Sequence, residues 1–381
     1  MRASRLKSKA MPIGLDFGGS CVRMLQLGGD EGEYEVISAG RYELPPGLGA
    51  LSDERKTALI DACTTLLELG QYVGNDVSVS LPDASVEFKN LRMPAMSAAD
   101  LEQALHIEAN ERLQMGEDGG EVHHLVAGQV QKGAETNQEV ILMGATRACM
   151  EFYLDVLAEA KLRPASIEVT PTALARCFHR MADHEAEEGQ VVEVVVDIGH
   201  SGTKVLVLRD GHIAFYKVID VGSSKLNDAV SEYLDMSGED AVELRRRQSK
   251  VHEGQSDDDK MFGSVRNDNV DRALFEAIRS VAGELAREIG LCLRYYSVTF
   301  RGARPSSVLL CGGEACDTQL AQLLGELMDT QVTVADPLAG IELGSARSAF
   351  GNPGQPMADW CVVTGLALRS PAGQREERGA A

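Results

Sequence analysis

No stretch of this chain approaches the ~18–20 consecutive apolar residues that a membrane-spanning helix needs. Any membrane role is therefore expected to work through a partner. Basic residues are also scarce: Lys and Arg total 37 against 58 Asp and Glu, a net charge of −21. Nucleic acids are bound through basic patches, so no nucleic-acid partner is expected. Broad adhesion to an anionic bilayer is disfavoured on the same ground. Paired cysteines are missing as well. The eight Cys, at 21, 63, 149, 177, 292, 311, 316 and 361, contain no CxxC pair and no Cys/His zinc spacing. They read as reduced cytosolic thiols. The first ten residues, MRASRLKSKA, are basic but have no apolar h-region. They read as a frayed tail rather than a secretory signal, and residues 371–381 as a second flexible tail.

What is present suffices for more than one core. A chain of 381 residues, 44% of them hydrophobic, is expected to form two or more domains. One stretch organises it, Asp197 to Leu208, DIGHSGTKVLVL. It follows the apolar run Val191–Val196, so the pattern is buried strand, Asp-x-Gly-x-x-x-Thr, second strand, which reads as a β-hairpin. An Asp at the end of a buried strand can face a hydrated Mg²⁺. Gly199, Ser201, Gly202 and Thr203 can turn N–H groups and hydroxyls toward phosphate oxygens. The pattern also occurs as Ile13–Leu27, IGLDFGGSCVRMLQL. Two copies, each opening one half of the chain, suggest two related α/β domains clamping one phosphate chain. Cys21 lies in the first turn and fits there as a small residue.

Between the hairpins, Tyr34–Leu44 reads as a strand, and Ser52 caps a helix with Leu59, Ala62, Leu66 and Leu69 inward. Ser97-x-x-Asp100 resembles a capping box, ahead of a helix with Leu101, Leu105 and Ala109 buried. Residues 79–146 read as an inserted β-β-α-β-β subdomain. His123 and His124, adjacent on a strand, point to opposite faces and cannot readily share a metal. In the second half, Gly222-Ser223-Ser224 stands at a helix N-terminus, a natural phosphate neighbour. Residues 252–268 read as a polar loop; its Asp257-Asp258-Asp259 run lacks the spacing of an EF-hand. A long helix over Val270–Thr299 follows. Gly312-Gly313-Glu314, between strand and helix, lets the backbone approach a flat ligand such as a purine.

Asp16-x-Gly, Asp197-x-Gly and Gly312-Gly313 in this order resemble the actin-like nucleotide-binding superfamily of actin, heat-shock chaperones, sugar kinases and FtsA. With VSLPDASVEFKNLRMPAMSAADLEQALHIEANERL, IEVTPTALAR, FYKVIDVGSSKLNDAV and the closing VTGLALR, the chain resembles the type IV pilus assembly PilM family over residues 11–370. The resemblance implies an α/β, actin-like fold of duplicated ribonuclease-H-like lobes with small inserted α+β subdomains. The first lobe would take 11–78, 147–186 and 354–370, with 79–146 inserted. The second would take 187–235 and 303–353, with a helical subdomain at 236–302. It implies ATP or ADP with Mg²⁺ near Asp16 and Asp197. Gly18, Gly19, Ser20, Cys21 and Arg23, and Gly199, Ser201, Gly202 and Thr203, would face phosphates, with Gly222 and Ser223 beside them. Gly312, Gly313, Glu314 and Arg245 would face the adenosine. The implied role is a cytoplasmic scaffold held to the inner face of the inner membrane by the N-terminal tail of a PilN-like protein, with no direct membrane insertion. Other pilus motor components and self-association are compatible with it.

The chain departs from the family pattern in three places. Arg23 stands where Lys is usual, which keeps the charge and changes the geometry. Gly222-Ser223 replaces Gly-Gly. Ala241-Val242-Glu243-Leu244-Arg245 replaces Ala-Glu-x-x-Lys, which removes a ribose hydrogen bond unless Glu243 compensates. Slow or absent hydrolysis is expected. The competing reading is a small-molecule kinase or phosphatase, which needs a placed base. Glu168 is the candidate for positioning water, against a plain strand-end role. An FtsA-like filament protein is disfavoured, because residues 369–381 are polar and carry Pro371 and Gly373.

Overall fold

A computed structural model of the chain describes residues 10–30, 33–116, 118–132, 135–182, 191–253, 268–301, 305, 307–350 and 356–369. The expected first tail (Ala10 aside), the charged run 183–188, most of the polar loop 252–268 and the tail from 370 onward lie outside the described residues. The chain divides into two compact units. One takes Met1–Val191, Leu208–Tyr216 and Asp336–Ala381; the other takes Val192–Val207 and Lys217–Ala335.

The first unit opens with β1 (Ile13–Phe17), β2 (Cys21–Asp30) and β3 (Glu33–Glu43), an antiparallel meander. Helix α1 (Asp53–Leu69) starts where expected, with the Ser52 side chain accepting from the Arg55 N–H. Leu59, Ala62 and Leu66 are buried, but Leu69, the last residue of the helix, is 80% exposed. Next, β4 (Asp76–Leu81) runs parallel to β1.

An insertion then follows: β5 (Glu87–Pro94), α2 (Ala98–Arg112), β6 (Gly120–Lys132) and β7 (Glu135–Thr146). Its sheet has the order β5-β7-β6. Leu101, Leu105 and Ala109 of α2 pack with Leu91, Met93, Val140 and Leu142. Ser97 caps α2 and accepts from the Asp100 N–H. The insertion is thus β-α-β-β. The first strand expected in the 79–146 segment belongs instead to the large sheet as β4, buried from Val77 to Leu81. His123 and His124 are both exposed on β6.

Helix α3 (Arg147–Glu159), β8 (Arg163–Val169) and α4 (Thr170–Met181) complete this stretch, and the large sheet has the order β3-β2-β1-β4-β8.

The second sheet repeats the plan. Its strands are β9 (Val192–Ile198), β10 (Thr203–Arg209) and β11 (His212–Ile219), then β12 (Ser307–Cys311) and β13 (Gln331–Val334). The order is β11-β10-β9-β12-β13, with β12 parallel to both neighbours. The position-by-position match of the two orders is the mark of a duplicated α/β lobe. The helices here are α5 (Ser223–Leu234), α6 (Gly238–Glu253), α7 (Asp268–Phe300) and α8 (Thr318–Met328). On α7, Leu274, Ile278, Leu285, Ile289, Cys292 and Tyr296 are buried at helical spacing.

From Asp336 the chain returns to the first unit, earlier than the expected boundary at 353. The reason is packing. Leu338, Ile341 and Ala346 share a core with Leu25, Leu27 and Trp360. The Val36 N–H donates to the Glu342 carbonyl at 2.8 Å, and the Glu342 N–H to Tyr34 at 3.1 Å. A 3₁₀ turn, Ala358–Trp360, leads into α9 (Cys361–Ala367). A Cβ on Gly14 would lie 2.5 Å from the Val363 carbonyl, and one on Gly365 1.9 Å from the Ala173 carbonyl. These two glycines let α9 lie directly on β1 and α4. Among the described residues no helix is long and apolar enough to cross a membrane.

Candidate functional site

The first hairpin joins β1 to β2 through Gly18-Gly19-Ser20. Pairing sets Asp16 opposite Arg23, and Arg23 opposite Arg41 on β3. The Arg23 side chain is buried among carboxylates. Its Nη2 donates to Asp359 Oδ2 at 2.8 Å, while Nη1 lies 3.9 Å from Asp16 Oδ2. Arg41 Nη1 reaches the same Asp359 oxygen at 3.2 Å. Burial works against the Arg23 charge, but nearby Cys21, Asp359 and Asp16, in that order, outweigh it and hold its pKa above the ordinary value. Arg23 Nε is buried without a hydrogen-bond partner. The turn itself is anchored by its carbonyls: Gly18 accepts from Arg55 Nη2 of α1 at 3.0 Å, and Ser20 from the Leu44 N–H at 2.8 Å. Gly19 and Ser20 form an exposed tip. Cys21 is buried, and that burial pushes its thiol up.

The second hairpin joins β9 to β10 and is closed by a 3.0 Å bond from the Gly199 N–H to the Gly202 carbonyl. Asp197, next to last in β9, is nearly fully buried and pairs with Lys204 Nζ at 3.0 Å. In both hairpins the cation follows the aspartate by seven residues. Thr203 is buried, and its hydroxyl donates to the Val221 carbonyl at 2.6 Å.

The start of α5 is closed against this turn. The Ser223 and Ser224 N–H groups donate to the Gly199 and His200 carbonyls at 2.9 and 3.0 Å. A Cβ on Gly222 would lie 2.4 Å from the His200 carbonyl, so glycine is needed there. The expected open helix N-terminus therefore has its first two donors satisfied by the hairpin. His200 Nδ1 and Ser223 Oγ, 3.2 Å apart, add a side-chain link.

Gly312 sits at the end of β12 with φ +91°, and a Cβ there would lie 2.2 Å from Asp197 Oδ1. Only glycine fits so close to that carboxylate. Gly313 is exposed, with open space around it. Glu314 is held by Arg245 of α6, which also reaches Asn227 Oδ1 at 2.7 Å and Asp317 Oδ2 at 3.4 Å. Asp317 is the N-cap of α8. Burial opposes the Arg245 charge, and Glu314 and Asp317 more than offset it, raising its pKa. One guanidinium thus ties α5, α6, the glycine turn and α8 together.

Glu168 ends up among cations. Its carboxylate accepts from Arg176, Thr172 and Arg369, at 2.7, 2.9 and 3.2 Å. With its side chain 6% exposed, it is the hub of an ion cluster that holds β8, α4 and the end of α9.

Taken unit by unit, each turn has exposed small residues whose N–H groups and hydroxyls suit phosphate oxygens: Gly19 and Ser20 in the first, Ser201 and Gly313 in the second. For a metal the set is sparse: Asp16 and Asp197 each face a cation, and no group of three metal-binding side chains occurs among the described residues. Each unit thus offers one carboxylate, a donor set that suits an ion keeping most of its waters, as Mg²⁺ does. Sequence reasoning missed Lys204, Asp359, Arg55, Asn227 and Asp317. The repeated seven-residue spacing could have found Lys204; nothing local marks the others.

Known proteins share this family or fold. The family model described as type IV pilus assembly protein PilM matches residues 14–371. A solved PilM-PilN type IV pilus biogenesis complex has a chain that superposes with TM-score 0.74 at 21% identity, covering 94% of this chain and 98% of that one. The ethanolamine utilization protein EutJ from Carboxydothermus hydrogenoformans superposes with TM-score 0.54 at 14% identity, covering 94% and 89%. Both are likenesses of fold. The cell division protein FtsA of Bacillus subtilis is 23% identical over 186 residues, 45% of this chain. That match spans only 40% of the curated relative's length.

Proposed function

The chain belongs to the type IV pilus assembly protein PilM family, and we propose that it is an actin-like, ATP-binding scaffold for building a type IV pilus or a related secretion machine. The partner in this reading is the N-terminal cytoplasmic tail of a PilN-like inner-membrane protein. The observation that carries it is the family match over residues 14–371, joined to the duplicated Asp-x-Gly hairpins. The solved relative that shares the fold is named as a PilM-PilN complex, which supports a PilN-like partner. The phosphate-facing groups are Gly18–Arg23 and Gly199–Thr203, and the adenosine-facing ones Gly312–Glu314 with Arg245. Asp16 and Asp197 are the carboxylates near a hydrated Mg²⁺. Bound Mg²⁺ would neutralise phosphate charge; the chain's own groups bind and orient.

The ion-paired state of Glu168 favours a scaffold over a kinase. A base must have a lone pair free for its proton, and Arg176, Thr172 and Arg369 engage this carboxylate. The protein is placed in the cytoplasm, drawn to the inner membrane by its partner.

The test has two arms. Calorimetry with MgATP is expected to show binding in the wild type and none in Asp16→Ala or Asp197→Ala. Pull-down with the N-terminal cytoplasmic tail of a PilN-like protein is expected to retain the protein. Absence of tail binding, with and without nucleotide, rejects the PilN-type partnership.

A further inference from the structure

Arg23 follows Asp16 by seven residues in the first hairpin, and its surroundings give the guanidinium a purpose. A lysine presents one point charge; a guanidinium presents a fork whose ends act separately. Here one end, Nη2, is bound to Asp359 at 2.8 Å. The other, Nη1, lies by Asp16, and is 3.9 Å from where a Cβ on Gly18 would stand. The fork thus spans from the 3₁₀ turn before α9 to the Gly18-Gly19-Ser20 turn.

Its far anchor is rigid. Asp359 is only 17% exposed in its side chain and precedes a helix whose position is set by backbone contact at Gly14 and Gly365. Trp360, next in sequence, is buried in the core with Leu25 and Leu27. Arg41 shares the same Asp359 oxygen, which offsets part of the carboxylate's charge and leaves Arg23 less than fully neutralised. An anchored side chain loses little rotamer freedom when a ligand arrives.

We propose that Asp359 is a positioning residue for nucleotide binding: it holds one end of the Arg23 guanidinium so that the other end is presented, pre-oriented, to a phosphate at the first hairpin turn. This rests on the nucleotide reading above. Without a carboxylate behind it, so long a side chain has no fixed pose. Asp359 lies 336 residues from Arg23, and the motif around the hairpin gives no hint of it.

The test is a double-mutant cycle read by calorimetric MgATP affinity, with thermal melts confirming that each variant folds. Asp359→Asn keeps the size and removes the charge-assisted bond. It is expected to weaken MgATP about tenfold, the scale of one hydrogen bond to a charged group. In the Arg23→Lys background the same change is expected to have less than about a twofold effect, because a lysine has no second arm for Asp359 to hold. Asp359→Glu, which moves the carboxylate by one methylene, is expected to fall between, and serves if the asparagine variant does not fold.

An unchanged affinity in Asp359→Asn overturns the proposal. So does an equal loss in both backgrounds, which would mean Asp359 acts through packing. A wild type that binds no nucleotide removes the nucleotide reading and this proposal together. A wild type that binds, with Asp359→Asn neutral, removes this proposal alone.

Discussion

The two hairpins share one plan and are held by different means. Each places an aspartate at the end of a buried strand and a cation seven residues later, facing it. In the first, side chains do most of the holding: Arg55 grips the Gly18 carbonyl and Asp359 grips Arg23, beside one backbone bond from Leu44 to Ser20. In the second, backbone does it: the Gly199 and His200 carbonyls receive the first N–H groups of α5, and Gly312 lies against Asp197. A side-chain brace yields to rotamer changes; a backbone brace moves only with its helix or strand. The second turn should therefore be the more rigid of the two, and the first the more adjustable.

The sharpest way to break the comparison is at the glycines. Gly312→Ala puts a methyl 2.2 Å from Asp197 Oδ1 and forces a left-handed backbone on an L residue. The expected cost is about 3 kcal/mol, the upper part of the range for single substitutions. Gly18→Ala in the first hairpin meets a carbonyl at 2.6 Å, but at no positive φ. It is expected to cost about half as much, because a turn held by side chains can shift. Denaturant midpoints with an unchanged slope would measure both. Equal costs would remove the distinction between the two braces.

Arg245 gives a smaller effect. Arg245→Gln leaves Glu314 and Asp317 partly enclosed without their cation. A loss of about 2 kcal/mol is expected, below the figure for a fully buried pair because both acids keep some solvent. Hydrogen exchange should register it in α5, α6 and α8 while β1 to β3 keep their protection. Loss of protection in both sets would show that the clasp is not local to its unit.

Much of this was legible in the residues. The hairpins, the Ser52 and Ser97 caps and the inward face of α7 were readable because each is set by near neighbours: a Gly turn between apolar runs, a hydroxyl before a helix, a 3.6-residue period. The motif order carried the family. What could not be read depends on partners distant in sequence. The first strand of the 79–146 segment was read as part of the insertion, and only the pairing of β4 with β1 and β8 puts it in the large sheet. The return of 336–350 to the first unit is decided by Leu338 and Ile341 meeting Leu25 and Leu27, which no local pattern encodes. The same holds for the site. Asp16 and Asp197 announce themselves by motif, whereas Asp359 matters through one contact made across most of the chain.

The smallest effect is a difference in alkaline response between two buried thiols, one in each unit. Burial pushes Cys63 of α1 up to about 12, from 9.0. On α7, burial, the largest influence, pushes Cys292 up to about 11. A raised thiol pKa favours the neutral form in the folded state, so its stabilising share is complete below pH 9 and is lost as pH rises toward the folded value. The unfolded chain binds fewer protons in that window, and stability falls with pH. Between pH 8 and 9.5 each thiol should cost slightly under ~1 kcal/mol, since both folded values lie well above the window. Replacing either by Ala leaves a pH-independent cavity cost and removes the slope, so the difference in slope isolates the thiol. Above pH 11 the two should part, with Cys292 levelling off while Cys63 continues to lose stability. Hydrogen exchange followed separately in α1 and α7 would read each one. If Cys63→Ala keeps the full loss between pH 8 and 9.5, the thiol is not the titrating group, and the slope belongs to other residues of the first unit.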